Sequence, residues 1–334
     1  MAADPFSEIL KFTKAETLVT GGFTAGGSWA IRFPAPVKIK FAAVVKGSCW
    51  VSVSGVRPFR AETGDVLLLA APRSFVLASD LKIAPVDAMA VFSGAGKTTA
   101  SLGDGDDFGH IGGHVLLDPV SGRLLADALP PWIHIQAASP QATTFRWLLD
   151  QLVNERASDL PGAQLASAQL AQLLFIQILR AHLKSASALP AGWLRALNDV
   201  SIGPALRLMH GDPGRSWHLE ELAKAAGMSR TTFAFRFRTV AGVAPLSYLT
   251  EWRMRLAARV LREDDTPVAE VARSLGYSSE SAFSNAFKRV SGKSPRTYRN
   301  AHHTNGDEPR EQETDSGAGI EDSRAWKVRR GGRT

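Results

Sequence analysis

Hydrophobic positions change rhythm along the chain. Up to about residue 100 they come in short runs, "WAIRF", "FAAVVKG", "CWVSVSG", "DVLLLAAP" and "SFVLASD", broken by Gly, Pro and Asp. Runs of that length at roughly ten-residue spacing predict the strands of a sandwich or barrel. Residues 94–107, "GAGKTTASLGDGDD", predict an exposed loop, and "GHIGGHVLLD" resumes the strand pattern. The "GKTT" inside that loop is not a phosphate loop, because Val91 stands where GxxxxGK[ST] needs its first Gly.

From about residue 122 the rhythm becomes helical. Gln141–Ala157 and Ala163–Ser185 predict two helices. The second carries Leu165, Leu170, Leu173, Leu174, Ile176, Ile178 and Leu179, apolar on most sides. Such a helix is buried, either in its own chain or between two copies of it. Pro190–Gly214 bridges to the next block, and the stretch after Arg299 lacks apolar periodicity, which predicts disorder.

That next block repeats. "LAKAAGMSRTTFAFRFRTVAGVAPLSY" from Leu222 aligns with "VARSLGYSSESAFSNAFKRVSGKSPRTY" from Val271. Ala223 and Gly227 match Ala272 and Gly276 at an offset of 49, and Phe233, Phe237, Gly242, Pro245 and Tyr248 recur at an offset of 50. In each copy a small Ala precedes a Gly by four residues. The Ala lets two helices approach, and the Gly permits the positive φ of a tight turn. A Ser then caps the following helix: Ser229 in the first copy, Ser278 or Ser279 in the second. That pattern predicts two helix-turn-helix units, in which the second helix enters a major groove.

On that second helix Phe233, Phe237 and Val240 form one buried stripe, repeated by Phe283, Phe287 and Val290. Phe235 lies about 200° around the helix from Phe233 and faces outward with Thr231, Ala234 and Arg238. An exposed ring there suits the methyl group of thymine, or it is an incidental surface aromatic. Between the units, Pro245–Asp264 predicts one long helix with an apolar stripe through Leu246, Leu249, Met254, Leu256, Ala257, Val260 and Leu261. About 17 helical residues span ~25 Å, so a rigid rod could set two reading helices near one DNA turn apart.

Charge sharpens the picture. The chain of 334 residues has a net charge of +7, and residues 204–300 hold 16 bases and 9 acids, which is the whole surplus. A basic block suits a polyanion, although a merely basic domain has the same composition. The single cysteine, Cys49, excludes a disulfide framework and a thiolate metal cluster. The N-terminal stretch "MAADPFSEILKFTKAE" has no apolar run of signal-peptide length, and no stretch approaches a membrane span, so a cytoplasmic protein is expected.

Residues 217–299 resemble the DNA-binding domain of AraC/XylS-type transcriptional regulators, most specifically through "VAEVARSLGYSSESAFSNAFKRVSGKSPRTYR". The Gly192–Trp217 lead-in and the β-rich start, with "GDVLLLAAPRSFVLASD", resemble the branch of that family with a cupin-like N-terminal domain. The resemblance implies an α+β chain: a cupin-like β-barrel over 1–125, a helical linker with dimerisation potential over 126–203, an all-α double helix-turn-helix domain over 204–300, and a disordered tail over 301–334. It implies base contacts from Thr231, Ala234 and Phe235 in the first recognition helix, and from Glu280, Ser281 and Asn285 in the second. Arg230, Arg238, Lys288 and Arg289 would contact phosphates, or read guanine. Position 285, often basic in the family, is Asn here and suits adenine; Glu280 suits cytosine, or is only a first-turn acid.

Many cupins hold a metal through clustered His and Glu. Residues 1–100 contain no His, and Phe75 stands where a His often follows "GDVLLL". His110 and His114 are expected at the surface or core edge, and neither metal, cofactor nor catalysis is expected. Trp29, Trp50 and Phe75 would line a ligand pocket or serve as ordinary core. The implied function is sequence-specific transcriptional regulation on double-stranded promoter DNA. RNA polymerase, an unidentified small effector and a second copy of the chain would be further partners. A cupin enzyme localised by a basic domain, and an architectural DNA-binder without site preference, are the competing classes.

Overall fold

The computed structural model describes residues 4–93, 99–158, 160–185 and 189–303. Residues 304–334 of the expected disordered tail, and the 94–98 part of the expected loop, lie outside them; residues 301–303, expected as disordered, instead end the helix Pro295–His303.

The chain opens with a helix, α1 (Pro5–Phe12), which the charged N-terminal sequence did not suggest. Asp4 caps it by accepting from the Phe6 amide, and Pro5 stands at the first helical position, where its missing N–H costs nothing. Eleven strands follow among the described residues. β1 (Glu16–Gly26), β2 (Ala30–Phe33), β3 (Ile39–Lys46), β4 (Ser48–Val53), β5 (Phe59–Glu62), β6 (Val66–Leu69), β7 (Phe75–Ala78) and β8 (Val86–Asp87) lead to a short helix, α2 (Ala88–Val91). After β9 (Thr99–Gly103) and β10 (Phe108–Leu116) come α3 (Arg123–Ala126) and β11 (Trp132–Ile135). One sheet has the order β11-β6-β3-β10-β1-β9, the other β5-β4-β7-β2-β8.

All five apolar runs read as strands form strands. Residues 99–103, expected as loop, form β9 instead, pairing in parallel with β1 from Gly22 opposite Thr99 to Gly26 opposite Gly103. Only Ala100 and Leu102 of this strand turn toward the core, too short an alternation to stand out among flanking glycines.

The six-stranded sheet is buried on both faces. Along β3, Ala42 and Val44 point between the sheets, where Trp29, Ile31, Phe33, Phe75 and Phe108 pack. Ile39, Phe41 and Ala43 point the other way, onto α4 (Ala142–Ala157) and α5 (Ala163–Ser185) through Phe145, Leu148, Leu174, Phe175 and Ile178. Trp29 and Phe75 are thus core, and Trp50 is half-buried on the alternate face of β4. The 125/126 boundary read from sequence falls inside this packed unit. β11 adds an edge strand to β6, and a buried Asp65 fixes it by bonding His134 Nε2 at 2.8 Å and accepting from the Ala137 amide at 2.6 Å.

The remaining chain is helical: α6 (Trp193–Asn198), α7 (Gly203–Gly211), α8 (Leu219–Ala225), α9 (Arg230–Ala241), α10 (Pro245–Glu263), α11 (Val268–Ser274), α12 (Glu280–Ser291) and α13 (Pro295–His303). The two halves of α10 serve two cores. Tyr248 and Leu249 join Leu222, Phe233, Phe237 and Val240, while Met254, Ala257 and Leu261 join Val271, Phe283 and Phe287. Its 19 residues make a rod of about 28 Å.

The sheet-bearing part grips this rod. Phe12 of α1 meets Trp252 of α10 edge-on at 5.3 Å, with Ile9 beside them. Lys14 pairs with Glu263 at 3.0 Å, and Asp118 with Arg262 at 3.1 Å.

Candidate nucleic-acid interface

The two helix pairs are built alike because the same residue types recur where the backbone needs them. The turns between α8 and α9 and between α11 and α12 pass through Gly227 at φ 64° and Gly276 at φ 79°, the left-handed region that a side chain would strain. Ser229 accepts from the Thr232 amide and Ser279 from the Ala282 amide, each at 3.2 Å, which settles Ser279 as the second cap. Removing such a cap costs about 1 kcal/mol.

Phe233 and Phe237 lie 5.6 Å apart within α9, and Phe283 and Phe287 lie 5.8 Å apart within α12, all four without solvent exposure. The repeat fails at one position. Val240 is buried, but Val290 is 44% exposed, and Ala286 takes a buried place in α12 instead. The cause is a difference in cover. α6 and α7 pack over the first unit through Ala196, Ile202 and Leu206, and the backbone carbonyl of Val240 accepts from the Gly192 amide.

The outward faces carry the candidate contacts. On α9, Thr231, Phe235 and Arg238 fall at i, i+4 and i+7 and are exposed, with Ala234 half-buried beside them. Phe235 is 75% exposed, although a large ring normally shelters. On α12, Ser281, Asn285 and Lys288 fall at the same spacing and are exposed. These triplets occupy matching positions of the repeat, each 50 residues apart. The chemistry differs at each step, hydroxyl plus methyl against hydroxyl, ring against amide, guanidinium against ammonium. One scaffold thus presents two different faces.

Ion pairs sort the basic residues. Arg238, Lys288 and Arg289 make no ion pair among the described residues. Arg230 lies 3.7 Å from Glu220, an exposed pair of little strength that leaves it available. Glu280 faces Arg296 of α13 at 3.6 Å, so its carboxylate already has a cation nearby. Other arginines are structural. Arg236 pairs with Asp199 at 2.6 Å, Arg253 donates to the carbonyls of Pro213 and Arg215, and Arg299 donates to that of Thr266. Sequence spacing does not separate these ties from free cations, since all sit on amphipathic helices.

His110 and His114 both lie on the inner face of β10. His110, expected at the surface or core edge, is instead buried, with its ring 5.0 Å from Phe23. The residue paired across the ladder from His114 is Lys40, so an ammonium stands beside the two imidazoles. Among the described residues no three His, Cys, Asp or Glu side chains gather closely enough to hold an ion. Two imidazoles and a cation do not make a metal's donor set.

Two helix-turn-helix units on one rod, behind a two-sheet domain, define a DNA-binding regulator. Residues 4–184 match the family model described as a cupin, and residues 222–301 that of a helix-turn-helix domain. The chain is 42% identical over 297 residues to an AraC-like transcription regulator of Streptomyces lividans, covering 89% of this chain and 98% of that one. It is 31% identical over 283 residues to the transcriptional regulator AlkR of Acinetobacter baylyi, covering 82% and 91%. The crystallised DNA-binding domain of AdpA in complex with a target DNA is 34% identical, covering 32% of this chain and 96% of that one, with a TM-score of 0.31. The chain belongs to the AraC-like transcription regulators. Among the described residues no helix is long and apolar enough to cross a membrane.

Proposed function

We propose that this regulator reads a bipartite operator, with α9 in one major groove and α12 in the next along one face of the DNA. The observation that carries this reading is the pair of exposed triplets at matching repeat positions, held on one continuous α10. Thr231, Ala234 and Phe235 contact bases in the first half-site; Ser281 and Asn285, with Glu280 at the helix start, contact those in the second. Arg230, Arg238, Lys288 and Arg289 bind phosphates and so supply affinity without sequence preference. Selection from random-sequence duplexes tests it. An enriched motif in two unlike halves, bound about 10³-fold or more tighter than a scrambled duplex, is the expected result. No enrichment, with both duplexes weakened equally by salt, would leave only electrostatic binding.

The N-terminal domain acts as the controlling element rather than as an enzyme. Its contacts with α10 through Phe12, Lys14 and Asp118 give a route by which a small effector there biases how the two reading helices are presented. Trp147, Leu165 and Leu173 are exposed apolar side chains on α4 and α5, and we assign that face to a homodimer contact. The regulator works in the cytoplasm, on promoter DNA within reach of RNA polymerase.

A further inference from the structure

The two reading helices begin with opposite charges. Arg230 is the first residue of α9 and Glu280 the first of α12, and they occupy matching positions of the repeat. The helix that follows each unit carries the reverse change. Leu246, the second residue of α10, matches Arg296, the second residue of α13. In the second unit a guanidinium thus leaves the reading helix and reappears on the helix after it.

The scaffold makes the two places comparable. Tyr248 packs on Phe237 and Tyr298 on Phe287, with ring centres 5.6 and 5.4 Å apart, so α10 starts against α9 as α13 starts against α12. Pro245 and Pro295, each the first residue of its helix, are both buried. Ser294 accepts from the Thr297 amide at 3.2 Å, which caps α13 and fixes the backbone around Arg296. The Arg296 guanidinium then lies 3.6 Å from the Glu280 carboxylate, at the first turn of α12.

This pair is not a structural tie. The Arg296 side chain is 81% exposed, and an exposed ion pair contributes little stability. Arg299, three residues on, is instead held inward by the Thr266 carbonyl. Glu280 puts an acid on the end of a helix that meets a polyanion, and its charge opposes phosphate unless a cation offsets it. Arg296 can offset it and still turn N–H groups outward, because a guanidinium carries five donors in a planar fork.

We propose that Arg296 is a phosphate contact of the second half-site, taking there the part that Arg230 takes in the first. The second unit then grips the DNA backbone from two helices, α12 and α13. The assignment deepens the operator reading above and rests on it for the placement of α12 in a groove.

Salt titrations of the full chain test this on the selected operator and on a scrambled duplex of equal length. Arg296→Leu, the residue type of the first unit, is expected to weaken both duplexes and to reduce the slope of log affinity against log salt by about 0.9. The loss of affinity between about 50 and about 200 mM salt then shrinks about 3.5-fold. Arg296→Lys is expected to keep the slope. Adding Glu280→Arg to Arg296→Leu rebuilds the arrangement of the first unit and is expected to restore it. An unchanged slope in Arg296→Leu overturns the assignment. So does a weakening confined to the selected operator, which would make Arg296 a base contact, or a folded double variant that recovers nothing. The scrambled duplex keeps this separate from the operator reading, because a lost phosphate contact lowers its slope even where selection enriches no motif.

Discussion

Tyr248 stands edge-on to Phe237 with ring centres 5.6 Å apart and planes at 72°, and fifty residues on Tyr298 meets Phe287 at 5.4 Å and 82°. Each pair ties a reading helix to the helix that follows it. Two phenylalanines two residues apart in α9 therefore have opposite duties. Phe237→Ala opens a core cavity and is expected to cost about 3–5 kcal/mol in urea unfolding. Phe235→Ala is expected to shift stability by no more than about 0.5 kcal/mol, yet to weaken operator binding. Unchanged operator affinity in a folded Phe235→Ala protein would make that ring an incidental surface group.

Asn285 and Lys288 separate specificity from affinity on α12. Asn285→Ala is expected to lose about 1–3 kcal/mol on the selected operator and to relax preference at one base pair. Lys288→Ala is expected to weaken all duplexes alike and to reduce the slope of log affinity against log salt by about 1. Titrations by fluorescence anisotropy at several salt concentrations distinguish the two patterns.

Acid should loosen the DNA-binding domain through His210. This buried imidazole shares a 2.9 Å hydrogen bond with the Tyr248 hydroxyl and lies 4.5 Å from the Trp252 ring. Burial pushes its pKa down from 6.5 to about 4. Between those values the unfolded chain binds a proton that the native state refuses, so stability falls as pH drops through that window. His110, also lowered by burial, adds a contribution of the same sign in the N-terminal domain. The melting temperature is expected to fall from about pH 7 to about pH 5, which crosses the unperturbed histidine pKa of ~6.5, and His210→Gln to flatten that fall.

Neighbouring leucines on α5 probe fold and assembly separately. Leu174 is fully buried against the six-stranded sheet, whereas Leu173 is 37% exposed. Leu174→Glu is expected to prevent folding. Leu173→Glu is expected to fold and to lower the mass measured by light scattering from dimer to monomer. An unaltered mass would remove the dimer contact from that face.

The helix-turn-helix units were legible because their constraints are local. Gly227 and Gly276, the two capping serines and the aromatics four apart all act within about twenty residues, and they recur. β2, β3, β4, β6, β7 and β10 were legible from short apolar runs, whereas β1 and β5, with polar residues and glycines through them, were not. What escaped depends on distant partners. α1 is anchored by Trp252, far along the chain, and β9 exists only because β1 offers an edge. The buried state of His110 follows from Phe23 and Phe33 closing over it, which a His among glycines does not announce. Val290 fails to repeat Val240 because cover by α6 and α7 lies outside the repeat. Likewise, Arg236 and Arg238 look alike in sequence, and only the position of Asp199 makes one a tie and leaves the other free.

In the proposed operator reading, α10 holds the two reading helices at one fixed separation. The most direct measurement is affinity for the selected operator with five base pairs, about half a helical turn, inserted between its halves. A rigid α10 predicts that binding drops to the level of a single half-site, because α12 then meets the wrong face of the duplex. Undiminished affinity for the inserted operator would contradict it, and would mean that the two units read independently or that only one reads at all.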